Sequence, residues 1–289
     1  MDQRIINLYD EFTHGVISRR TFLDRLTDIA GTTAAALALL PLLQNDYARA
    51  AFVAPDDARL AIETASYDAG GATISGYLAR LKTGAKRPAV IVIHENRGLN
   101  PHIKDVARRV ALEGFLAYAV DMLSPLGGTP DDEDKGRDMI ATLDPDQTAH
   151  RIAAAIPFLQ RHAESTGKVG TVGFCWGGGM VNRVAVIAPQ LKAGVAYYGM
   201  QPPAAQVPSI KAALLLHYAG LDQRVDAGIP AYEAALKAAG ARFTIYIYPN
   251  VNHAFNNDTG SRYDKAAADL AWSRTIGFLK QELGAPPAG

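Results

Sequence analysis

The sequence predicts an open, mostly parallel α/β sheet flanked by helices on both faces, with a helical N-terminal extension. Two observations carry that expectation. From about residue 59 to residue 283, short β-branched runs alternate with Ala-rich segments of helical length, the pattern of strand-helix-strand units. Most of these runs are continuously apolar rather than alternating, as expected of parallel strands covered on both faces.

The elements follow in chain order. Residues 59–67 and 72–80 read as two strands joined by Asp68-Ala69-Gly70-Gly71, a turn whose glycines accept positive φ. Apolar runs at 89–94, 115–120, 169–174, 194–198, 212–218 and 243–248 predict the remaining strands. Helical stretches are expected at 102–113, 147–162, 176–187, 229–239 and 263–283. In such sheets, function collects in the loops beyond the carboxyl ends of the strands.

The division expected is an N-terminal extension over residues 1–58 and a catalytic α/β domain over 59–289. Within the extension, Ser18-Arg19-Arg20-Thr21-Phe22-Leu23 precedes an apolar stretch at 29–43 and then Ala48-Arg49-Ala50. That order resembles a twin-arginine export signal with a cleavage site, which implies a periplasmic protein. The alternative is a helical arm that stays on a cytoplasmic protein, because residues 1–17 are long for a leader and Asp24 and Asp28 interrupt it. The apolar stretch is short and contains Pro41, so stable membrane insertion is not expected.

Composition narrows the chemistry. Among 289 residues, 29 Lys+Arg balance 29 Asp+Glu, which leaves no sustained basic surface for nucleic acid. The single cysteine, Cys175, excludes intramolecular disulfides, multi-cysteine metal sites and a CxxC redox pair. The expected partner is a small molecule, and the oligomeric state stays open, a homodimer included.

Four strand-end loops carry unusual residues. Gly173-Phe174-Cys175-Trp176-Gly177-Gly178-Gly179 has the spacing of a G-x-S-x-G nucleophile elbow with cysteine in the serine position. Its glycines permit a tight strand-to-helix turn, and the helix N-terminus favours a thiolate and an oxyanion. The bland alternative is a buried, inert cysteine. An elbow nucleophile needs an acid and then a histidine downstream; Asp222 and His253 follow in that order, each just after an apolar run. Each alone reads as a turn former or a loop histidine. His217, inside a continuous apolar run, reads as a core histidine. The remaining loop holds Val92-Ile93-His94-Glu95-Asn96-Arg97-Gly98, where a zinc H-E-x-x-H motif fails because position 98 is glycine. Glu95 is placed to take or hold a proton of the thiol, and the backbone N–H groups of Asn96 and Trp176 are the expected oxyanion donors. Trp176 and Tyr198 are expected to line the cleft.

On H-E-N-R-G at 94–98, G-F-C-W-G-G-G at 173–179, G-L-D-Q-R-V at 220–225 and N-H-A-F at 252–255, the sequence resembles the dienelactone hydrolase family of α/β-hydrolases over about residues 64–283. The resemblance implies an α/β-hydrolase fold and a triad of Cys175, Asp222 and His253. It also implies that Glu95 switches the thiol on when substrate displaces it. The implied reaction opens an enol-lactone through an acyl-thioester, without cofactor or metal. One position departs from the family: Asn257 stands where an arginine grips the substrate carboxylate, which leaves Arg137 as the other candidate ligand. Two further function classes stay open, another esterase or thioesterase on the same fold, and a non-catalytic thiol sensor or ligand-binding protein.

Overall fold

The computed structural model describes residues 1–47 and 52–284. The Ala48-Arg49-Ala50 segment therefore lies outside the described residues.

Eight strands form one sheet: β1 (Leu60–Asp68), β2 (Thr73–Leu81), β3 (Arg87–Ile93), β4 (Leu116–Val120), β5 (Ser165–Phe174), β6 (Ala193–Tyr197), β7 (Ala213–Ala219) and β8 (Phe243–Tyr248), in the order β1-β2-β4-β3-β5-β6-β7-β8. β1 and β2 pair antiparallel, as do β2 and β4, while every pair from β4 through β8 is parallel. Each predicted run thus becomes a strand. The parallel strands are apolar on both faces because both faces are covered: Ile91 and Ile93 of β3 enter one core, and Val90 and Val92 enter the other.

The helices are α1 (Gln3–Thr13), α2 (Arg19–Ala30), α3 (Thr33–Leu43), α4 (Pro101–Leu112), α5 (Glu133–Ala141), α6 (Pro145–Ala153), α7 (Ala155–Gln160), α8 (Trp176–Ile187), α9 (Gln223–Asp226), α10 (Ile229–Ala238) and α11 (Lys265–Leu283). The helix expected over 147–162 is divided between α6 and α7. Pro157 has no N–H to donate to the carbonyl of Ala153, the residue at which α6 ends. α5 is short and polar and escapes a periodicity reading; Asp132 caps it by accepting the N–H of Lys135.

The first three helices make a small core of their own. Ile5, Leu8, Tyr9 and Phe12 recur at helical spacing along α1 and bury against Phe22, Leu26, Ala36 and Leu43. The Phe12 and Phe22 rings stack at 4.8 Å. The apolar stretch at 29–43 is broken by Gly31, which caps α2 at φ 82°, and by Thr32, which caps α3. The two helices meet at 112°, and among the described residues no single helix is long and apolar enough to cross a membrane.

This helical unit is seated on the sheet's carboxyl edge. Arg19 pairs with Asp134 at 2.6 Å, Asn96 Nδ2 donates to the Thr13 carbonyl at 2.7 Å, and Gln3 Nε2 donates to Asn252 at 2.5 Å. Arg19 of the twin-arginine pair is thereby committed to an ion pair with α5.

Candidate active site

Cys175 joins β5 to α8 with φ 55° and ψ −116°, a conformation that L-residues rarely adopt. The turn depends on its glycines. A Cβ at Gly173 would strike the Gly177 backbone, and one at Gly177 would strike the carbonyls of Ile93 and His94. Three other non-glycine residues among those described have positive φ: Tyr198, Asn250 and Ala254. Tyr198 and Ala254 line the cavities beside Cys175, so local backbone strain is held around one sulfur. Because Trp176 opens α8, its amide has no acceptor within the helix and is available to an oxyanion.

Asp222 and His253 converge on that sulfur from the ends of β7 and β8. Asp222 Oδ1 accepts the Val225 N–H at the start of α9, and Oδ2 lies 2.5 Å from His253 Nδ1. With Nδ1 so engaged, the ring presents Nε2 to the cleft, where it is buried with no hydrogen-bond partner. The His253 ring is flanked by Tyr198 at 4.8 Å and by His14 at 4.6 Å.

His14 is the residue that sequence reasoning missed. It follows α1, and its Nε2 lies 3.4 Å from Cys175 Sγ while its Nδ1 lies 2.8 Å from the Asp10 carbonyl and 3.3 Å from Asp10 Oδ2. No motif announces it, because its meaning depends on where α1 docks. Among the described residues, His14, Cys175 and His253 also form a group that could hold a metal ion, with ligand atoms all within 4.8 Å of one another.

The thiol and the two aspartates favour charge on the rings, while the two rings oppose each other. Burial pushes the Cys175 thiol up, but the nearby His253 and His14 rings, with His14 in direct contact, outweigh it and hold the thiol well below its ordinary range. Burial likewise disfavours the charged rings, yet Cys175, Asp222 and Asp10 raise His253, while Cys175 and Asp10 raise His14. His253 keeps Asp222 ionised against the cost of burial. The surroundings of Cys175 therefore favour its thiolate form, beside two neighbouring imidazole rings that are each backed by an aspartate.

Glu95 follows β3 as expected, but its carboxylate does not engage the thiol. Oε2 accepts from Asn257 Nδ2 at 2.7 Å, and Oε1 is buried without a hydrogen-bond partner. The physical reason is the residue at 257, whose short amide reaches the carboxylate and turns it aside, while His14 occupies the place beside the sulfur. Arg262, five residues beyond Asn257, brings a guanidinium to the same small cavity and pairs with Asp10 at 2.5 Å. His217 is a core histidine: it contacts Thr275 and Tyr248, and burial pushes it down to about 3.

A larger cavity of about 470 Å³ opens on the thiol, lined by Trp176, Met180, Tyr198 and Met200 together with Arg137, Arg183 and Arg224. That volume suits a small organic substrate. Trp176 stacks on His94 at 5.1 Å, and its outer edge faces the cavity. Arg137 is already committed: it pairs with Asp134 at 3.0 Å and Asp138 at 2.8 Å and lies 4.6 Å over the Phe12 ring. Arg224 is not. Its Nε and Nη2 are buried without a hydrogen-bond partner, and its Nη1 contacts only the soft sulfur of Met200 at 3.6 Å.

The chain is similar to known proteins. The family model described as the dienelactone hydrolase family matches residues 74–283, and a second, described as YqhI-like, matches residues 1–31. A protein of Escherichia coli O157:H7 provisionally named carboxymethylenebutenolidase is 33% identical over 245 residues, covering 80% of this chain and 90% of its own. One of the same name from Saccharolobus solfataricus is 31% identical, covering 74% and 96%. The crystal structure of a protein from Klebsiella pneumoniae, described provisionally as a dienelactone hydrolase, superposes with a TM-score of 0.68 at 28% identity, covering 76% of this chain and 99% of that one. Together with the eight-stranded sheet and the cysteine elbow, these matches establish that the chain belongs to the dienelactone hydrolase family and is a carboxylic ester hydrolase on the α/β-hydrolase fold.

Proposed function

We propose that the chain hydrolyses a small lactone or ester of the carboxymethylenebutenolide type through an acyl-thioester on Cys175. The observation that carries this reading is the convergence of Cys175 Sγ with the Asp222–His253 pair at one sheet edge. Sγ attacks the carbonyl carbon, and the developing oxyanion is held by the Asn96 and Trp176 amides. Collapse of the tetrahedral adduct breaks the carbon–oxygen bond, and His253 Nε2 gives its proton to the leaving oxygen. Neutral His253 then takes a proton from water as that water attacks the thioester, and the thiolate departs as the carboxylic acid is released. Asp222 keeps the ring in the tautomer and orientation that both steps need.

Glu95 moves no proton in this scheme; its contribution is the charge of a carboxylate turned to Asn257, with Oε1 buried in the small cavity that Cys175 and His253 also line. Glu95→Gln is expected to lower kcat by about 10- to 100-fold with little change in KM, because an amide fills the space but carries no charge. Unaltered turnover would reduce Glu95 to a loop carboxylate. The carboxylate of an acidic substrate is held by Arg224 rather than by Arg137, because only Arg224 has donors to spare. Arg224→Met should raise KM about 10- to 100-fold for acidic substrates, the loss of one or two charge-assisted hydrogen bonds, and leave neutral esters unaffected. Equal losses on both would count against that assignment.

Incubation with a slow ester followed by intact-mass and peptide mass spectrometry tests the whole reading. The expected result is an acyl group on Cys175; an acyl group elsewhere, or turnover of an ester panel by Cys175→Ala, would overturn it.

A further inference from the structure

We propose that His14, backed by Asp10, is a second catalytic imidazole, supplied to the active site by the N-terminal helical unit as the standing partner of the Cys175 thiolate. The inference rests on Cys175 being the nucleophile, as proposed above.

Three features of the structure support it. First, the contact is directional: one ring nitrogen of His14 faces Sγ at 3.4 Å and the other faces Asp10, at 2.8 Å to its carbonyl and 3.3 Å to its carboxylate. That is the acid-histidine order of Asp222 and His253, repeated by a second ring that lies edge-on to His253 at 4.6 Å. Second, the ring is held in place by a built scaffold. The preceding residue, Thr13, accepts from Asn96 at its carbonyl, Asp10 is tied to Arg262, and Arg262 lies 5.6 Å over the Tyr9 ring of α1. Third, the ring does not seal the thiol. His14, Cys175, Trp176 and His253 all line the 470 Å³ cavity, so substrate can approach beside the ring.

The charged groups around His14 are Asp10 on α1, Cys175 at the elbow, and His253 and Arg262 on the loop after β8, with Glu95 in the adjoining cavity. Arg137, Arg183, Arg224 and Asp138 line the larger cavity. Within this group the thiolate needs a hydrogen-bond donor before attack and on its release, and the only ring nitrogen in hydrogen-bond contact with Sγ among the described residues is that of His14. His14 supplies one. As Sγ bonds to the acyl carbon it loses its negative charge, and His14 keeps its proton against Asp10. When the thiolate is released in deacylation, that N–H is again beside it. No proton enters or leaves the His14 ring over the cycle, so the two rings divide the work: His253 moves the proton and His14 holds the charge.

The test uses the full-length protein, with intact mass confirming that residue 14 is present. His14→Gln and Asp10→Asn are compared with wild type in two readouts: steady-state kinetics on a small neutral ester, and the pH dependence of iodoacetamide alkylation of Cys175. Alkylation needs no turnover, so it reports on His14 even if the ester chosen is poor. Wild-type alkylation should persist well below the pH at which a free thiol protonates. His14→Gln should move that profile upward by about one pH unit and lower kcat about 10- to 100-fold at similar KM. Asp10→Asn leaves the ring in place and should shift both in the same direction by less. A profile and kcat unchanged in His14→Gln would overturn the inference, and so would a rise in kcat/KM, which would make the ring an obstruction. If Cys175→Ala keeps its activity, the proposed function fails; if it is inactive while His14→Gln behaves as wild type, the failure belongs to this inference alone.

Discussion

Cys175→Ala is expected to abolish ester turnover, with a loss on the order of 10⁶-fold in kcat, or about 8 kcal/mol of transition-state stabilisation. The fold should survive. Alanine removes one sulfur from the elbow, and the glycines that permit the turn remain. The change should also be visible without substrate. The Cys175 charge raises both His14 and His253, so in the variant the two rings should titrate at lower pH than in the native protein. NMR of the imidazole resonances across the pH range measures this directly. Cys175→Ser should retain weak activity at best, because a hydroxyl is far harder to ionise than a thiol in the same surroundings. A fully active serine variant would show that thiol chemistry is dispensable here.

The second large effect is expected at the Asp222–His253 pair. Asp222→Asn keeps the shape of the side chain and its capping contact to Val225, but an amide that presents N–H to Nδ1 forces the ring into the wrong tautomer. A loss of about 10⁴-fold in kcat is expected, with unchanged expression and melting temperature as the control. His253→Ala should lose as much or more, since it removes the group that moves the proton in both half-reactions. The losses from Asp222→Asn and His253→Ala should not add in the double variant, because the two residues act as a unit. Full additivity would mean that Asp222 acts elsewhere, for example only as the cap of α9.

Much of this protein is legible in the chain itself, and the reason is range. A parallel strand buried on both faces must be apolar throughout, so the run at 89–94 announces β3 with no knowledge of its neighbours. The elbow is legible for the same reason. The crowding that excludes a Cβ at positions 173 and 177 acts within a few residues of Cys175 or at the adjacent strand end, and it leaves its mark as glycine spacing. Chain order then adds Asp222 and His253, because successive strand ends along one edge bring their loops together. The division of the 147–162 stretch into α6 and α7 was less visible, although Pro157 lay within it.

Only the tertiary structure decided what stands beside the sulfur. His14 and Cys175 are 161 residues apart and Glu95 and Asn257 are 162 apart, and neither pair belongs to a local pattern with a periodicity or a turn to betray it. The amphipathic spacing of α1 says that Ile5, Leu8, Tyr9 and Phe12 must be covered, but not that covering them with α2 and α3 aims the next residue at a thiol. Sequence therefore singled out Cys175, Asp222 and His253. The docking of one helical unit on the sheet edge determined the second imidazole and, with it, where the Glu95 carboxylate does not sit.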